Sequence, residues 1–248
     1  MFKRNKALAL VLAVALPVFV IFFAKWYIGV MNLSREKNRP HAPAKMFAEG
    51  VQEVTNPNGT KEIDSVYHTI PDLRLETQSG DSLDLDSLRG SIYVADFFYA
   101  TCPGICPKMN NSLERVQKAF IRDDNFRIVS FTVDPTRDTM NVLRKYAGEH
   151  DAVPGKWYFL RNSKENVYHL AQKGFYITAK ADEDGGPEAF VHSEKLALVD
   201  QMGNIRGYYS GVDSLSVNKM MSDIVLLLRE SEHGFSFHDQ KKTTKNLF

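Results

Sequence analysis

The chain has 248 residues, 44% of them apolar and 25% charged, which excludes an intrinsically disordered chain and allows one large domain or two small ones. Lys and Arg number 31 against 30 Asp and Glu, a net charge of +1, so no broad basic field is present to hold nucleic-acid phosphates, and nucleic acid is not an expected partner. The only cysteines, Cys102 and Cys106, exclude a multi-bridge disulfide scaffold and a four-cysteine zinc module.

Ala7 to Ala24 is an uncharged run of 18 residues, about 27 Å as a helix, and Trp26 to Met31 prolongs it past Lys25. It is apolar all round, unlike a surface helix with one apolar stripe. Lys3, Arg4 and Lys6 precede it and stay cytoplasmic under the positive-inside rule, while Trp26 and Tyr27 suit the far interface. The rival is a cleaved signal peptide. Against it, the run exceeds the usual ~7–15 residues, and Phe22, Phe23, Trp26 and Tyr27 stand where small residues are needed for cleavage. Residues 1–31 are therefore expected to form an uncleaved transmembrane anchor. Residues 32–60, rich in charge, Asn, Pro and Gly, are expected to form a flexible linker, and the polar, lysine-rich residues 233–248 a frayed tail.

Residues 61–232 alternate strand and helix patterns. Tyr67 to Leu75 and Ser82 to Leu85 flank Ser79-Gly80-Asp81 and predict a hairpin. Ile92 to Tyr99 is a near-continuous apolar run, as in a strand covered on both faces. Pro107 to Phe120 is a predicted helix with Met109, Leu113, Val116 and Phe120 on one face. There follow a strand over Phe126 to Val133, a helix over Thr139 to Glu149, a strand over Trp157 to Leu160 and a helix over Ser163 to Lys173 closed by Gly174. A hairpin of Leu196 to Asp200 with Ile205 to Tyr209 precedes a last helix, Ser216 to Glu232. The sum is an α/β domain, a mixed sheet with flanking helices.

Both cysteines fall just past the end of the central strand and at a helix start, where open α/β sheets place their sites. The free amides and positive end of that helix favour thiolate over thiol. A spacing of four puts both sulfurs on one side of the first turn, close enough to form a disulfide or to hold one soft metal ion. A purely stabilising disulfide is the plainer alternative, although so short a loop restricts the unfolded chain little. Seven histidines could add a ligand: His41, His68, His150, His169, His192, His233 and His238. His192 differs from the rest, since it follows the acidic, Gly-rich stretch Ala181 to Pro187 and precedes a strand. Two thiolates and one imidazole form a soft, three-coordinate set that suits copper(I) better than zinc.

Cys102-x-x-x-Cys106-Pro107 after an apolar strand, Thr132-Val133-Asp134-Pro135 with Arg137-Asp138-Thr139 closing the next strand, and a histidine 86 residues after Cys106 all lie behind one predicted anchor. In this ordered combination the chain resembles the Sco/SenC family. The resemblance implies a thioredoxin-like fold, related to the peroxiredoxins, that binds copper through Cys102, Cys106 and His192. It further implies a metallochaperone that assists assembly of the binuclear copper centre on the copper-bearing subunit of cytochrome c oxidase. With the apolar span starting at Ala7, the expected location is the bacterial inner membrane, single-pass, with the C-terminal domain in the periplasm. Two departures from the family pattern are Gly104 and Val191, where many members have Asp. Glu188, Glu194 and above all Asp134 are then candidates to orient the imidazole. The competing function is a membrane-tethered thiol-disulfide reductase acting on oxidase cysteines, although dedicated dithiol reductants usually space their cysteines by two residues. A peroxiredoxin expects Thr three residues before its reactive cysteine, where this chain has Tyr99 and Pro103.

Overall fold

Ile92–Phe98 (β5) is buried at all seven positions, which requires side chains packed on both faces of the strand. In the computed structural model, which describes residues 21–23, 25, 42–55, 61–177 and 193–234, β5 runs through the middle of a seven-stranded sheet. The other strands are β3 (Arg74–Thr77), β4 (Ser82–Asp84), β6 (Phe126–Thr132), β7 (Trp157–Arg161), β8 (Lys195–Val199) and β9 (Ile205–Ser210), in the order β4-β3-β7-β6-β5-β8-β9. β5, β6 and β7 are parallel; β3 and β8 run antiparallel to β7 and β5.

Alternation along β5 divides the core. Ile92, Val94 and Phe98 face α1 (Ile105–Ala119), α2 (Met140–Glu149) and α4 (Ser214–Gly234). Tyr93, Ala95 and Phe97 face α3 (Lys164–His169) and the π-helical turn Leu170–Gly174. In α1, Met109, Leu113 and Val116 recur on one face and are fully buried. α4 does the same with Val217, Met220, Ile224 and Leu227. Truncating Leu113 to Ala costs about 2–5 kcal/mol on the usual scale of core cavities.

Several expectations need correction. The predicted linker contains a strand, β1 (Ala48–Thr55), which pairs antiparallel with β2 (Lys61–Tyr67) in a separate two-stranded ribbon. Residues 61–67 therefore pair with β1, and the first strand of the main sheet is β3. The compact unit runs from Ala42 onward, with Met1–His41 as a second unit. Backbone bonds from Met46 N–H to the Ile205 carbonyl and from Ile70 N–H to the Gly203 carbonyl, both 2.9 Å, fix this N-terminal stretch beside β9. The first helix begins at Ile105, so Pro107 lies within its first turn, where an N–H would have no intrahelical partner. The helix over Ser163 to Lys173 is α3 followed by the π-helical turn, still ending at Gly174. There, a β-carbon would come within 3.0 Å of Pro71 Cδ and 2.9 Å of Leu170 Cδ1. α4 runs to Gly234, into the predicted tail; residues 235–248 lie outside the described residues, as does most of the predicted membrane span. Among the described residues, no helix is long and apolar enough to cross a membrane.

Candidate copper site

At the C-terminal end of β5 the chain turns through Tyr99-Ala100-Thr101, with Cys102 N–H donating to the Tyr99 carbonyl at 3.1 Å, and enters α1 at Ile105. Cys102 thus precedes the helix and Cys106 sits in its first turn. Both are free thiols, 9% and 3% exposed. Burial alone pushes the Cys102 thiol up. Hydrogen bonds to its sulfur from the Cys106 side chain, the backbone N–H groups of Cys106 and Gly104, and Tyr99 outweigh burial, and the net shift is down. Cys106 moves the opposite way: burial raises it, and so does its hydrogen bond to Cys102, since donating to that sulfur favours keeping its proton. The pair is a contacting dithiol in which Cys102 carries the thiolate character. Tyr99, partly buried and hydrogen-bonded to Cys102, is pushed up to about 12.

The loop after β6 props this turn. Asp138, 1% exposed, accepts the Ala100 N–H at 3.1 Å and the Thr132 hydroxyl at 2.5 Å. The Asp134 N–H donates to Thr132 Oγ1 at 3.1 Å, and Arg137 Nε lies 2.5 Å from the Asp134 carboxylate. Asp134, the first candidate to orient the His192 imidazole, has Arg137 as an ion-pair partner.

His192 itself, with Val191 and Glu188, lies outside the described residues. Glu194 is exposed, and its carbonyl accepts the Gly211 N–H at 2.7 Å. A β-carbon on Gly211 would stand 3.0 Å from Met109 Cγ and 3.3 Å from the Glu194 carbonyl, so the chain leading into β8 passes close to α1 three residues after Cys106. The register agrees: β8 is antiparallel to β5 with Ala197 opposite Ala95, which sets the start of β8 at the edge where β5 hands over to the cysteines. His150 and His68 are engaged elsewhere. His150 Nε2 bonds Asn110 Nδ2 and its Nδ1 lies 2.9 Å from Glu114, while His68 sits between Glu49 and the Gly174 carbonyl. Among the described residues no group of three or more His, Cys, Asp or Glu could hold a metal.

One ionisable residue escaped the sequence analysis. Asp96, in the middle of β5, points to the α1 face and is 1% exposed; the Ser130 hydroxyl donates to it and in turn accepts Trp157 Nε1–H at 2.9 Å. Burial pushes its carboxyl up to about 7, partly countered by Ser130, and its field raises Cys106 further. A carboxylate inside an apolar strand is rare enough to have marked it.

With this geometry in view, residues 61–229 match the family SCO1/SenC. The chain belongs to the SCO1/SenC family. It is 29% identical over 163 residues to the SCO1 protein homolog of Bacillus subtilis, covering 65% of this chain and 83% of that relative. It is 28% identical over 141 residues to a putative copper-binding protein of Stutzerimonas stutzeri, covering 56% and 68%. Among solved structures it is similar to BsSco, a member of the Sco family of cytochrome c oxidase assembly proteins in which a disulfide switch was identified. That similarity is 28% identity with a TM-score of 0.56, over 64% of this chain and 93% of the other. The fold is accordingly the thioredoxin-like α/β Sco fold, with mixed sheet and helices on both faces.

Proposed function

We propose that this SCO1/SenC protein carries copper as cargo, bound by Cys102, Cys106 and His192, and assists assembly of the binuclear copper centre of cytochrome c oxidase. The observation that carries the reading is the contacting dithiol at the start of α1. Two adjacent, largely buried sulfurs, one favoured as thiolate by backbone N–H groups, fit a soft ion that accepts few ligands. The passage of the chain into β8 beside α1 supports His192 as the third ligand. Residues 1–31 anchor the protein in the bacterial inner membrane, with the domain on the periplasmic side; the uncharged run behind Lys3, Arg4 and Lys6 supports this.

The test is copper(I) titration of the full chain, reduced and oxidised. One copper per reduced chain and weak binding to the disulfide form are expected. Equal affinity in the two forms refutes the cysteine site.

The unequal cysteines favour one second reading, a thiol-disulfide reductase. The Cys102 thiolate attacks a target disulfide and forms a mixed disulfide. Cys106, losing its proton, then displaces the target's thiol, leaving this chain oxidised and the target reduced by two electrons. A His192→Ala chain that loses copper but still supports oxidase assembly favours this reading.

A further inference from the structure

A cleft of about 600 Å³ opens at the C-terminal ends of β6 and β7, two strands from the cysteines. Crevices at that edge of α/β sheets are where ligands bind. Its walls are β3, the start of β4, the Pro135-Thr136 stretch and the chain from Arg161 into α3. Three cations line it, Arg74, Arg161 and Lys164, against one carboxylate, Glu76. Leu75 and Pro135 are its only apolar contributions, so it is not shaped for an apolar ligand.

Arg161 is the centre of the argument. Its Nη2 donates to the Pro135 carbonyl at 3.1 Å, and its Nη1 reaches Glu76 only at 3.4 Å. Its Nε is buried with no hydrogen-bond partner. The guanidinium is 26% exposed, and its Nη1, held only by the long contact to Glu76, keeps donor capacity that an oxyanion in the cleft would accept. The frame around it is already tied. Asn162 Nδ2 donates to the Arg74 carbonyl at 2.6 Å, Asn162 Oδ1 accepts the Ser163 N–H at 2.6 Å, and Ser163 Oγ caps α3 through the Asn166 N–H at 3.2 Å. A ligand would not have to order these groups. The Asp134 to Thr139 loop forms one wall through Pro135 and Thr136 and, through Asp138, props the cysteine turn.

We propose that this cleft binds the phosphate group of a small ligand, with Arg161, Arg74 and Lys164 as its partners. The inference is independent of the copper reading, since none of these residues touches the cysteines. The test is calorimetric titration of the full chain in non-ionic detergent at constant ionic strength. The probes are inorganic phosphate, glycerol 3-phosphate, and dihexanoyl phosphatidylglycerol below its micelle concentration. Saturable binding at one site is expected, weakened at least about fivefold by Arg74→Gln and by Lys164→Gln and kept by Lys164→Arg. Copper stoichiometry and the unfolding transition should be unchanged in all three variants. Tighter binding of glycerol 3-phosphate than of the lipid supports the proposal with a soluble ester as ligand; the reverse order supports it with a lipid headgroup. No saturable binding of any probe, or binding indifferent to both Gln substitutions, overturns it.

Discussion

Asp138 holds the backbone of Ala100 through a carboxylate hydrogen bond of 3.1 Å, joining the loop after β6 to the turn that presents Cys102. The same oxygen takes the Thr132 hydroxyl, so one side chain fixes two loops at the sheet edge. Asp138→Ala leaves both donors without an acceptor and should cost about 1–3 kcal/mol in denaturant unfolding, with Asp138→Asn intermediate. Unchanged stability in the Ala variant would show the link to be dispensable.

Buried carboxyls set a pH dependence of stability. Asp96 is raised from 3.8 to about 7, and Asp138 is also raised, both by burial. In the unfolded chain these groups lose their protons at lower pH than in the native state. The native state therefore binds more protons, and stability falls as pH rises from about 4 to 7. Above about 7 the Asp96 contribution levels off. Asp96→Asn removes its part, so the drop in unfolding free energy between roughly pH 5 and 8 should be smaller in the variant. An equal drop in both chains contradicts this assignment.

The two thiols should differ in reactivity. Cys102 is the more exposed and is lowered, whereas Cys106 is raised. Mass-spectrometric alkylation of the reduced chain near neutral pH should modify Cys102 at least about tenfold faster. Faster modification of Cys106 would reverse the roles given above.

His192→Ala should weaken copper(I) binding by at least ~10–100-fold, the range set by losses even beyond the direct ligands, while the Cys102 to Cys106 disulfide still forms on oxidation. Competition with a chromogenic chelator measures it. Wild-type affinity in the variant would mean that another group completes the site.

Protease added to intact spheroplasts should release a fragment carrying the cysteines. Its protection, or recovery of a soluble chain starting near Lys25, contradicts the membrane topology proposed for residues 1–31.

What sequence pattern could reveal followed how much each element depends on the core. β5 and α1 are buried by their own periodicity, so strand, helix and the cysteines between them were legible from chain order. β1 was not, because its eight positions are all exposed and Ala-Glu-Gly-Val-Gln-Glu-Val-Thr has no apolar face to set a period of two. Its order comes from pairing with β2, a relation no local window contains. The π-helical turn is indistinguishable from helix in the sequence because its apolar spacing continues that of α3. At the site, Cys102 and Cys106 were found by their own motif. Asp138 stood in a quoted motif without a role, since its hydrogen bond to Ala100 joins segments 38 residues apart.

The backbone bond from Met46 to Ile205 bears on where the domain can be cut. A fragment beginning at Lys61, the boundary that composition alone indicates, would lose β1, the carbonyl of Pro43 that accepts Arg206 Nε at 2.6 Å, and the donor that occupies β9 at Ile205. Arg206, 7% exposed, would keep Asp200 and Glu230 but lose one acceptor, and the Ile205 carbonyl of β9, the edge strand of the sheet, would be open to pairing with another molecule. The autonomous folding unit therefore includes Ala42, and a fragment trimmed to the motif-bearing residues should be prone to self-association.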